Sequence, residues 1–96
     1  MIFEKLQKLF SHYLYKENSE EEIAEFQKQF EVIFDTFRQE LRAEVGEIKY
    51  ELMDRIYMTF DSYEPDENIR LNDKYCIDQK TLMVKIKELY NETTLV

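Results

Sequence analysis

The residues with the most chemical capacity in this chain lie in one short run, Asp61-Ser62-Tyr63-Glu64-Pro65-Asp66-Glu67. Its carboxylates can receive the ammonium and guanidinium groups of a partner in charge-assisted hydrogen bonds, bidentate where the donor is arginine. Pro65 is the only proline in 96 residues. The segment before it has helical apolar spacing, so the proline ends that helix and leaves Asp61, Glu64 and Asp66 clustered near its end. A helix C-terminus carries partial negative charge, and anions placed there cost stability. A cationic partner is therefore favoured over a solvated loop as the reason for Asp61, Glu64, Asp66 and Glu67. Tyr63 and Tyr75 flank the acidic segment, where each serves equally well as an interface anchor or as a packing residue that pins the loop.

Other reactive residues are few. The chain has one histidine and one cysteine, and it has no G-x-G-x-x-G, phosphate loop or H-E-x-x-H, so no catalytic constellation can be assembled and no enzyme is expected. His12 reads as a surface or boundary residue, and Cys76 as an inert thiol without a partner for an internal disulfide. A di-iron bundle needs two Glu-x-x-His motifs, which one histidine cannot supply. The calcium spacing D-x-D-x-D-G is also missing. No metal or other cofactor is expected. A second acidic group, Glu17, Glu20, Glu21, Glu22 and Glu25, surrounds a helix start, where negative charge offsets the helix dipole; capping and solubility account for it better than binding does.

Charge points the same way as the acidic corner. Thirteen Lys and Arg stand against 21 Asp and Glu, for a net charge of −8. That balance disfavours direct binding to nucleic acid or an anionic membrane and favours a basic protein surface. The 44% apolar content, with seven Phe and seven Tyr, supplies one packed domain spanning residues 1–96 without disulfides or metal. Charges interrupt Met1-Ile2-Phe3-Glu4-Lys5-Leu6, which lacks the continuous apolar stretch of a signal peptide or membrane span; a cytoplasmic protein is expected.

The elements that must hold the corner are helices. Ile2, Phe3, Leu6, Leu9, Phe10, Tyr13 and Leu14 recur at steps of three and four and predict a first helix from about Ile2 to about Lys16. Ser19 and Glu22 match a capping box. A second helix starts there, buries Ile23, Phe26, Phe30, Ile33, Phe34, Phe37 and Leu41, and runs to about Ala43, with Gly46 as its stop. Ile48, Leu52, Met53, Ile56, Tyr57 and Phe60 predict a third helix that ends between Asp61 and Tyr63. From Glu64 to Ile77 no helical period is visible, and Asn68, Asn72 and Asp73 are turn formers, so a long loop is expected, a feature often functional in small domains. Asp78 then caps a last helix carrying Leu82, Met83, Ile86, Leu89 and Tyr90, with a hydrophobic staple between Ile77 and Leu82. The expected fold is all-α: an antiparallel four-helix bundle with a long acidic loop between the third and fourth helices.

The stretch Ser62-Tyr63-Glu64-Pro65-Asp66, followed by Arg70, Tyr75-Cys76-Ile77-Asp78, Leu82 and Val84, resembles the colicin D immunity proteins and the related immunity proteins of contact-dependent growth inhibition systems. The resemblance covers roughly residues 60–90; over the first sixty residues it extends only to the helical layout. It implies a small helical inhibitor that neutralises the transfer-RNA-cleaving domain of a toxin, with acidic side chains filling the basic cleft where RNA phosphates would lie. The matching positions are Asp61, Glu64 and Asp66. The alternative, from composition alone, is a small acidic scaffold or regulatory subunit that docks a basic protein without blocking any chemistry.

Overall fold

Six helices build the chain, in a computed structural model that describes every residue from Met1 to Val96: α1 (Ile2–Tyr13), α2 (Glu20–Thr36), α3 (Arg38–Val45), α4 (Glu47–Ser62), α5 (Glu67–Asn72) and α6 (Gln79–Thr93). The all-α class follows from the 3.6-residue apolar period, and the side chains that carry it form one core. Phe10, Phe26, Phe30, Phe34 and Phe60 are fully buried there with Leu6, Ile23, Leu41, Met53, Ile56, Leu82 and Ile86. Phe26 joins three helices through aromatic packing, stacked on Tyr13 of α1 with ring centres 4.7 Å apart and edge-on to Phe60 of α4 at 5.0 Å. Such pairs add roughly 0.5–1.5 kcal/mol each beyond the area they bury.

Two elements differ from the sequence expectation. The predicted second helix is divided at Phe37, whose φ of −119° and ψ of 27° lie outside the helical range. Asp35, Thr36 and Phe37 are consecutive weak helix formers, and the break turns Arg38 across α4. Its guanidinium lies over the rings of Phe34 and Tyr57, 4.4 and 5.1 Å from their centres, and pairs with Asp35 at 3.0 Å and Asp54 at 3.9 Å. The second difference is α5, a six-residue helix inside the stretch expected to be a loop.

Capping follows the expected chemistry where the sequence marks it. The Ser19 hydroxyl accepts from the Glu22 amide at 3.2 Å while the Glu22 carboxylate accepts from the Ser19 amide at 3.1 Å. Asp78 accepts from the Thr81 amide at 2.8 Å, with Leu82 buried behind it and Ile77 packed against the core. Gly46, at φ 85° and ψ 171°, ends α3 and starts α4 in a conformation that L side chains rarely adopt. The start of α1 has a cap from a distant element: Glu44 of α3 accepts from the amides of Ile2 and Phe3 at 2.9 and 3.2 Å. Helix α4 packs most extensively against α6, so the last turn of α4 and the first turn of α6 together frame residues 63–78.

Candidate functional site

The acidic corner is an ordered double turn. The Glu64 amide donates to the Ile77 carbonyl at 3.0 Å and the Ile77 amide donates to the Ser62 carbonyl at 2.8 Å, an isolated parallel bridge that clamps the start of the segment to its end. Between these points the chain leaves α4 and forms α5. Arg70 reaches back so that Nη1 donates to the Glu64 carbonyl at 2.6 Å. Asp73 accepts from the Tyr75 amide at 2.9 Å and closes a further turn. Polar bonds to the backbone, rather than buried side chains, set the conformation of residues 64–76.

The carboxylates of the corner divide into different roles. Asp66 is the N-cap of α5 and accepts from the Asn68 amide at 2.9 Å; Glu67 stands in the first turn of the same helix. Both occupy the positive end of a helix dipole, where carboxylates are favourable. The electrostatic penalty inferred from the sequence therefore does not hold for them, because α5 was not visible there. Asp61 does lie in the last turn of α4, exposed, where that penalty applies. Glu64 is half-buried and accepts from the Asp66 amide at 3.1 Å, so Glu64 and Asp66 are brought into direct contact.

Asp61 looks in another direction. Tyr57 ionises above its ordinary value because of the charge of Asp35, then burial, then the charges of Asp61 and Glu31; its hydroxyl is 3.5 Å from Asp35. Asp61 thus joins Glu31 and Asp35 in an acidic strip around Tyr57 that spacing along one helix does not reveal. The signal for it is the pair Glu31 and Asp35, each next in sequence to a core phenylalanine of α2 and four residues apart on the flank of that face.

The two tyrosines separate as well. Tyr63 is half-buried and packed against the core, and its hydroxyl is pushed up by burial and by the charge of Glu20. Tyr75 is largely exposed, with Lys74 Nζ 5.3 Å from its ring centre. Beside Tyr63 a hollow of about 230 Å³ is lined mainly by polar residues: Glu20, Pro65, Arg70, Asp78, Gln79 and Lys80. Glu20 of the α2 start therefore borders the corner. A further bond from Gln79 Nε2 to the Asn18 carbonyl at 2.7 Å ties the α1–α2 turn to the start of α6.

No family model, curated protein or solved structure matches this chain. The site is read on its own chemistry. No group of three or more His, Cys, Asp or Glu is arranged to hold a metal ion, and no helix is long and apolar enough to cross a membrane. The Cys76 thiol is pushed up by burial and by Asp73, which favours its protonated form. What the arrangement offers is two carboxylates held by hydrogen bonds, Glu64 and Asp66, with exposed Asp61 and Glu67 on either side of them along the chain, suited to receiving cationic side chains.

Proposed function

We propose that this chain is an immunity protein of the colicin D and contact-dependent growth inhibition type, which binds the transfer-RNA-cleaving domain of a toxin and closes its basic cleft. The observation that carries the reading is the ordered acidic corner: Glu64, Asp66 and Glu67 follow directly on the backbone clamp to Ile77, and Asp61 precedes it in the last turn of α4. Glu64 and Asp66, which accept from the Asp66 and Asn68 amides, lose little freedom on meeting Lys and Arg, so they can take the place of phosphates at a modest entropic cost. The inhibitor acts in the cytoplasm, where the toxin meets transfer RNA, and it performs no turnover. In this reading α1, α2 with α3, α4 and α6 are the four rods of an antiparallel bundle, and residues 63–78 are the acidic segment they carry.

The reading requires a toxin gene beside this one, and the test is to mix the protein with the C-terminal nuclease domain of that toxin and to follow transfer RNA cleavage. Cleavage should stop near a stoichiometric ratio. Continued cleavage by a bound nuclease would be the behaviour of an acidic scaffold, and absence of binding would remove the immunity reading.

A further inference from the structure

Residues 67–75 present apolar side chains that the fold does not use. Helix α5 has no buried residue. Leu71 and Tyr75 are each 76% exposed, the highest values of any large apolar residue between positions 2 and 94, and Ile69 is exposed with them. Single exposed apolar residues are ordinary, but here they concentrate on one segment that is nevertheless held in place. Asp66 caps α5, Arg70 ties it to Glu64, Asp73 fixes the Tyr75 amide, and the bridge to Ile77 closes the loop. An element whose order comes from backbone hydrogen bonds keeps its apolar side chains free for another surface.

Charge says what that surface is. Glu67 precedes Leu71 by four residues and shares its helical face, while Asp66 and Asp73 stand at the two ends of α5. Apolar anchors ringed by polar groups are where interface energy concentrates, because the ring excludes water from the centre. Asp66, Glu67 and Asp73 outnumber the two cations of the segment, Lys74 and Arg70, of which Arg70 is tied to the Glu64 carbonyl, and that excess favours a partner with cations at the matching positions. Tyr75 already holds a lysine over its ring, the geometry in which an aromatic face receives a cation.

We infer that Leu71 and Tyr75 are the apolar anchors of the interface with the toxin, and that they enter an apolar recess on the nuclease rimmed by Lys and Arg. This rests on the proposed function and names which element of the corner carries binding that salt does not screen. Apolar burial is insensitive to ionic strength over the range in which exposed ion pairs weaken. The carboxylates and the anchors can therefore be told apart.

The experiment uses the full chain and the nuclease domain of the adjacent toxin. Affinity is measured by calorimetry at 0.15 M and about 0.5 M salt for the wild type, for Leu71→Ala with Tyr75→Ala, and for Ile48→Ala with Val84→Ala as exposed apolar controls. Hydrogen exchange of wild-type residues 67–75 is followed with and without the nuclease. The anchor pair should weaken binding at least tenfold at both salt concentrations, the control pair should bind as the wild type does, and residues 67–75 should gain protection in the complex. A wild type that binds while the anchor variant stays within about twofold of it overturns the inference and leaves the proposed function standing. Protection without a loss of affinity has the same meaning, since α5 would be covered without anchoring. A wild type that fails to bind overturns both.

Discussion

Asp66 shows how one carboxylate serves the fold and still stays open to solvent: one oxygen caps α5, and the rest of the group remains exposed. Replacing it with alanine therefore removes a cap as well as a charge, whereas asparagine keeps the cap. Asp78 and Glu22 are similar. Asp78 is held below its ordinary value of 3.8 by the Thr81 amide, and Glu22 below 4.5 by Lys16 and the Ser19 amide. A carboxylate whose folded pKa is depressed stabilises the protein above its unfolded pKa, and that contribution is lost as pH falls through the folded value. Thermal melts should thus be flat near neutrality and fall below about pH 4.5. Asp78→Asn with Glu22→Gln, which keep acceptors but lose the titration, should flatten that acid limb. An unchanged limb would mean that these two groups are not ionised caps. Both are legible in the sequence because each stands at the start of a helix with a clear apolar period, Asp78 as the cap of α6 and Glu22 in the first turn of α2. The role of Asp66 was hidden because α5 has no such period, and Arg70 reaches Glu64 through a turn that only the folded chain shows.

At the scale of elements, α2 supplies the centre of the core, and its spacing made that plain. Phe30 and Phe34 are fully buried, so changing either to alanine should cost about 3–5 kcal/mol by denaturant unfolding. A loss below roughly 1 kcal/mol at both positions would contradict the packing described. Gly46 makes a different kind of demand. No atom lies within 4 Å of the position a Cβ would take, yet φ is +85°, so Gly46→Ala should cost about 1–3 kcal/mol through backbone strain alone. A neutral effect would show that the α3–α4 corner relaxes. Gly46 was readable as a stop because glycine occurs once. The break at Phe37 was not, since apolar spacing runs through it unbroken from Phe34 to Leu41 and no proline or glycine marks it. The cap that Glu44 places on α1 joins residues 41 or more apart, beyond the reach of any local pattern.

At the scale of the whole molecule, excess negative charge governs how this chain would meet a cation-rich surface. A net charge of −8 should speed the encounter with a basic nuclease at low ionic strength, and stopped-flow association rates should drop markedly as salt rises; a salt-independent rate would leave steering without a role. The placement is tested more directly by comparing two sets of three neutralised carboxylates. In the corner, Asp61→Asn, Glu64→Gln and Asp66→Asn remove three charges while keeping the acceptors that Glu64 and Asp66 provide. Glu20 and Glu21 make a poor control, because Glu20 borders the corner. Glu4, Glu40 and Glu51, changed to Gln, are a better one, being exposed carboxylates on α1, α3 and the first half of α4. The deciding measurement is the calorimetric Kd of both triple variants for the nuclease domain at physiological salt, with melts to confirm intact folding. The corner set should weaken binding at least a hundredfold, about 3 kcal/mol, because cations desolvated in the complex lose their partners. The control set should cost about 1 kcal/mol or less through long-range steering. A control set as damaging as the corner set would contradict the claim that these residues are where the toxin is held.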